Sequence, residues 1–147
     1  MESLCLVTDF DGKTIKLEST LIPANKSIKP LLVKQTLIID SGADTSALTR
    51  EFLKKNGYGK YSKTGKVINT ATGDAELLSC EINGLTIANQ FKFGKMKVDI
   101  LENWKSHQVV GVIGLDILSQ MTFILSHEHK KYLLTDQKIP ELAKLFV

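Results

Sequence analysis

Leu37-Ile38-Ile39-Asp40-Ser41-Gly42-Ala43-Asp44-Thr45-Ser46 sets three apolar β-formers directly before a carboxylate. Desolvating that acid is expensive unless the chain leaves the core at a turn, and Ser41-Gly42 offers a hydroxyl and a flexible backbone at that point. The apolar character reaches back to Leu31, so residues 31–40 read as a buried strand that delivers Asp40 to a site. A plainer reading fits the same letters, with Asp40 starting a turn or capping a helix that begins near Ser46.

A second segment has a related shape. Val112-Ile113-Gly114-Leu115-Asp116-Ile117-Leu118 is an apolar strand broken by glycine that enters a short helix, with Asp116 as its expected cap. Taken alone, it is no more than a buried strand followed by a capped helix.

The remaining chain reads mainly as strands. Residues 4–8 and 14–22 flank Asp9-Phe10-Asp11-Gly12-Lys13, whose Asp-Gly pair predicts a hairpin turn. Residues 47–56 suit one or two helical turns closed by Gly57. Residues 66–69 and 75–82 flank Thr70-Ala71-Thr72-Gly73-Asp74, a second hairpin signal, and Asn83-Gly84 is a third, leading into residues 85–93. Residues 109–114 form a β-branched and apolar run, and residues 121–125 and 132–135 form a last hairpin around a polar tip. Helical spacing returns only at Leu142, Leu145 and Phe146, which predicts a short C-terminal helix. The class is all-β.

In this order, Ile38-Ile39-Asp40-Ser41-Gly42-Ala43, a hairpin around Ala71-Thr72-Gly73, and Val112-Ile113-Gly114 before Asp116-Ile117-Leu118 resemble the retropepsin-like aspartic proteases. The pattern is closer to the cellular and bacterial members than to the viral ones, because Leu115 stands where viral enzymes usually carry arginine. That arginine makes an ion pair in the viral enzymes with the acid at the place of Asp44, so Asp44 needs another means of support. The resemblance implies a closed, barrel-like acid-protease fold with a flap hairpin and one short helix after Gly114. Its core would span residues 31–134, with an N-terminal hairpin (1–30) and a C-terminal tail (135–147) as extensions.

The resemblance also implies a chemistry. Peptide hydrolysis by this route needs two carboxylates about one water apart, one ionised and one protonated. The sequence has one Asp-Ser-Gly, so the expected catalyst is a homodimer pairing Asp40 with Asp40 of the second chain. By position, Ser41, Gly42 and Ala43 complete the active-site loop. Asp44, Ala71, Thr72 and Gly73 line the cleft over an extended peptide. The rival is a module of the same fold that dimerises or binds peptides without cleaving them.

Length and composition agree with this picture. The 147 residues suffice for one core, so residues 1–147 are expected to form a single domain. A composition 43% hydrophobic and 24% charged excludes disorder, collagen-like repeats and a dominant coiled coil. The 19 basic residues include a single arginine, Arg50, so the forks suited to phosphate are nearly absent, and no nucleic-acid partner is expected. Lys54, Lys55, Lys60, Lys63 and Lys66, with Tyr58 and Tyr61 between them, read as a solvated basic face. Cys5 and Cys80 follow no secretory leader pattern, which predicts reduced thiols in a cytoplasmic protein. No apolar run reaches membrane-spanning length, so no membrane partner is expected.

Other motifs fail on their spacing. Gly12-Lys13-Thr14 has Val7 where a phosphate loop needs glycine, and Gly57-Tyr58-Gly59 has Ser62 where a dinucleotide fingerprint needs its third. His127 and His129 flank Glu128 at a polar tip, a poor metal site, and no serine or cysteine sits in a nucleophile elbow. Neither a metal nor a cofactor is expected. Trp104 reads as a core or interface anchor.

Overall fold

The computed structural model describes residues 5–9, 13–28, 35–70, 72–102, 104 and 108–146. The first strands are β1 (Cys5–Asp9), β2 (Lys16–Leu21), β3 (Gln35–Ile39) and β4 (Ala47–Thr49), and the last runs directly into helix α1 (Arg50–Lys55). A long hairpin, β5 (Ser62–Thr70) and β6 (Gly73–Ile82), precedes β7 (Leu85–Ile87), β8 (Phe91–Phe93) and β9 (Met96–Leu101). Then come β10 (Val109–Ile113), α2 (Leu115–Leu118), β11 (Thr122–Ser126), β12 (Lys131–Thr135) and α3 (Pro140–Leu145).

These strands form two sheets. One has three strands in the order β1-β12-β11, and the other has nine in the order β5-β6-β9-β4-β10-β3-β2-β7-β8. The all-β class is therefore correct, but the closed barrel is not. The large sheet is open, because its two ends are the projecting β5–β6 hairpin and the three-residue β8, which do not pair with each other.

Two expected hairpins are also replaced. The partner of β1 is β12, whereas β2 pairs with β3 and β7, so the first and last strands close a sheet of their own. The tip residues 10–12 of the expected N-terminal hairpin lie outside the described residues. Asn83-Gly84 turns a corner from β6 into β7, and the tight hairpin lies further on, between β7 and β8. Ala88 and Asn89 take positive φ there, 54° and 56°, the backbone of a primed turn. Alanine at such a position carries no sequence signal.

Burial follows the strand period where one face meets the core. In β2 the residues Leu17, Ser19 and Leu21 point inward while Lys16, Glu18 and Thr20 face water. Leu37, Leu53, Ile82, Ile87 and Val98 have no exposed surface, and each such side chain contributes about 1.5–3 kcal/mol of burial. The helix expected over 47–56 is shorter, because Ala47, Leu48 and Thr49 are all buried in the sheet as β4. Thr49 then caps α1, accepting the Phe52 N–H on its side-chain oxygen at 3.2 Å, and Gly57 follows the helix end with φ 86°. The last hairpin and the C-terminal helix form as expected.

The centre of the large sheet positions the site. β10 lies between β3, which it meets in parallel, and β4, which it meets antiparallel. Gly111 makes this crossing fit, since a Cβ there would lie 2.1 Å from the Ala47 carbonyl oxygen. Ile39 and Ile113 are paired at the end of the parallel ladder. Asp40 and Gly114 therefore leave the sheet side by side.

Candidate active site

Asp40 is held by its backbone and left open at its side chain. Its N–H donates to the Ile113 carbonyl at 2.9 Å, extending the ladder one residue beyond the strand. The Ala43 N–H closes the turn on the Asp40 carbonyl at 3.1 Å, and the Gly42 N–H donates to Asp40 Oδ1 at 3.0 Å. A carboxylate oriented by the turn that it starts is a recurrent local device. Here the carboxylate also stays exposed, as do Ser41 and Gly42, while Ala43 is half-buried. A side chain at position 42 would bring its Cβ to 3.3 Å from Asp40 Oδ1, so glycine keeps the approach to the carboxylate clear. The turn reading of Asp40 is thus right as far as it goes. The helix-cap reading is not, because the residues after Ser46 form β4.

The loop that follows is tied to the start of α2. Leu115 N–H donates to the Ala43 carbonyl at 2.8 Å, and Asp116 N–H donates to that of Asp44 at 3.2 Å. Asp116 does not cap the helix, since Gly114 occupies the N-cap position without a side-chain bond. Its carboxylate points across to Ser46, accepting the Ser46 hydroxyl on Oδ1 at 2.7 Å and the Ser46 N–H on Oδ2 at 3.0 Å. The same hydroxyl oxygen accepts the Gly114 N–H at 2.9 Å. A Cβ on Gly114 would sit 2.7 Å from the Ala43 carbonyl oxygen, so only glycine allows this contact between the two loops. Leu115 is 41% exposed and the Asp44 side chain faces solvent, so Asp44 is held through its carbonyl rather than through an ion pair with residue 115.

Ser46 and Asp116 are the site residues whose roles the sequence did not reveal. Each is an ordinary polar residue beside an apolar stretch, and their separation of 70 positions leaves no local pattern to read. Asp99 of β9 stands behind them, donating its N–H to the Ser46 carbonyl at 2.9 Å. Burial pushes the Asp99 carboxyl above its ordinary value; the Lys66 charge opposes the shift and the Asp116 charge adds to it. Between the ordinary aspartate value and this raised one, the folded chain binds more protons than the unfolded chain, so Asp99 costs stability as the pH rises through that window. Asp99→Asn should therefore match the wild type in strong acid and gain on it towards neutrality, as read from urea midpoints across a pH series.

The hairpin residues belong to a separate element. Thr72 and Gly73 are exposed at the tip of β5–β6, and Ala71 lies outside the described residues. At the foot of that hairpin Arg50 forms an ion pair with Glu102 and places its guanidinium 4.8 Å from the centre of the Tyr61 ring. Tyr61 in turn donates its hydroxyl to the Tyr58 carbonyl at 3.0 Å. Along the strands, Lys63 pairs with Glu76 at 3.6 Å. The lone arginine therefore braces the base of the hairpin, a role its composition did not announce.

Trp104 is 38% exposed rather than a core residue, with its indole N–H donating to the Val109 carbonyl at 2.6 Å. His127 and His129 are exposed in the turn between β11 and β12. Among the described residues, no group of three or more His, Cys, Asp or Glu could hold a metal ion, and no helix is long and apolar enough to cross a membrane.

Comparison with known proteins places this geometry. Residues 32–117 match the family model described as aspartyl protease, a span from before β3 into α2 that includes the hairpin and both loops. A retropepsin-like aspartic protease from Rickettsia conorii superposes with a TM-score of 0.67 at 19% identity, over 91% of this chain and 92% of that one. The EIAV protease in complex with the inhibitor HBY-793 gives 0.48 at 21% identity, covering 73% and 86% of the two chains. The retroviral protease-like domain of Ddi1 from Leishmania major gives 0.49 at 16%, covering 79% and 83%. No curated protein sequence matches.

Proposed function

Because the chain belongs to the aspartyl protease family and has a retropepsin-like fold, we propose that it is an aspartic endopeptidase assembled as a homodimer, with Asp40 of each subunit forming the catalytic pair. The observation that supports this reading most directly is the state of Asp40. Its backbone is fixed to Ile113 and Ala43 while its carboxylate remains exposed, with Gly42 clearing the approach. A single such carboxylate supplies a base or an acid, and a two-fold axis supplies the other. The pair shares one proton and titrates as a unit. Its ionised member activates water against the scissile carbonyl, and the proton passes to the leaving amine.

Around the pair, Ser41 fastens the two loops across the axis, and Gly42 and Ala43 leave room for the substrate backbone. Asp44, Ala71, Thr72 and Gly73 line the cleft, where the hairpin closes over an extended peptide by strand addition and excludes water. A cytoplasmic setting agrees with Cys80, a free and buried thiol whose pKa burial raises.

Dilution tests the assembly. Cleavage of a peptide library, followed together with mass in solution, should lose specific activity as the protein falls below its dimer dissociation constant. Constant specific activity in a monomeric sample would contradict the shared site. A stable dimer that binds extended peptides but cleaves none would mark a non-catalytic module.

A further inference from the structure

Ser46 is 1% exposed, and its hydroxyl both accepts and donates. The Gly114 N–H arrives at 2.9 Å, so the hydroxyl proton is directed to Asp116 Oδ1, 2.7 Å away. The Asp116 carboxylate also collects the Ser46 N–H at 3.0 Å and the Ile117 N–H at 2.9 Å. Ser46 is buried and Asp116 half-buried, and a network in which each of these groups is partnered is rigid, its charge-assisted members being the strong ones. Two further bonds carry that rigidity to the reaction centre. Leu115 donates to the Ala43 carbonyl at 2.8 Å, and Ala43 in turn closes the turn on the Asp40 carbonyl at 3.1 Å. Asp40 makes its own backbone bond to Ile113, the residue directly before Gly114.

We propose that Ser46 and Asp116 are positioning residues, a hydroxyl–carboxylate lock that fixes the Asp40 turn against the Gly114 corner and so sets the spacing of the two carboxylates across the dimer axis. The proposal rests on the protease reading of Asp40. It gives Asp116 a reason to be an acid at a place where Leu115 offers no cation. Ser46→Ala removes the bridge to Gly114. Asp116→Asn keeps a single acceptor oxygen, so the Ser46 N–H and the Ser46 hydroxyl no longer both have a carboxylate oxygen to donate to.

Steady-state cleavage by proven dimers separates this role from mere support of the fold. Each single variant should lower kcat per folded dimer by about 10²-fold, the effect expected of a misplacement near 1 Å, with KM little changed. The double variant should be no worse than either single one, because the two groups act as a unit. Amide hydrogen exchange should quicken at Gly42, Ala43 and Leu115 while Leu37 and Ile100 keep their protection. Wild-type cleavage with unaltered kcat in both single variants would overturn the lock alone. Equal loss of protection at Leu37 and Ile100 would also overturn it, by making the pair a general support. A wild-type dimer that cleaves nothing would overturn the protease reading and this role with it.

Discussion

Asp40→Asn is expected to give a folded, dimeric protein whose peptide hydrolysis is lower by about 10⁴-fold or more. The side chain is exposed, so the exchange leaves the core untouched. The amide oxygen still accepts the Gly42 N–H that now reaches Asp40 Oδ1 at 3.0 Å, so the turn keeps its shape. The chemistry is what disappears, because a side-chain amide neither takes a proton from water nor shares one with a partner. Mixing sharpens the result. When variant and wild-type chains exchange freely in equal amounts, about one quarter of the dimers carry two carboxylates, and activity should fall with them. Cleavage by Asp40→Asn at the wild-type rate would remove Asp40 from the mechanism.

The second large effect is structural. Gly111→Ala should destabilise the protein by about 3 kcal/mol, measured by chemical unfolding, because the new methyl group meets backbone rather than a movable side chain. Its Cβ would lie 2.1 Å from the Ala47 carbonyl oxygen and 3.0 Å from Leu48 Cα, and relief requires β4 and β10 to part. β10 also carries the ladder with β3 that ends at Asp40 and Gly114, so activity should fall along with stability. Gly59→Ala is the matching control. Nothing lies within 4 Å of its added methyl, and the change should be neutral or stabilising by about 0.4–1 kcal/mol. Similar stabilities for the two variants would show that the crossing of β4 and β10 is looser than the close approach at Gly111 implies.

The parts legible in the sequence share a short range. Leu37-Ile38-Ile39 before Asp40, the turn made by Ser41-Gly42, and the long hairpin around Gly73 each follow from neighbouring residues. Reading failed where a choice depended on distant segments. The alternation of β2 states only which face is buried and not which strand lies alongside, and β1 pairs with β12 rather than with β2. The strand Met96–Leu101 carries no distinct signal in the sequence for a related reason. Its alternation is short and crowded with lysine and aspartate, and it becomes a strand by pairing with β6 and β4.

What the sequence by itself determined is the local chemistry: a carboxylate delivered by an apolar strand to a flexible turn, one copy per chain, and a glycine at the corresponding point of a second apolar strand. Turn geometry and hydrophobic period act over a few residues, so they are written where they operate. The tertiary structure alone decided that the large sheet stays open, that the chain's first strand closes against β12, and that Ser46 and Asp116 meet behind Asp40. Those outcomes depend on burial and hydrogen bonding summed over segments far apart in the chain, where each buried polar group must find a partner that no local pattern names.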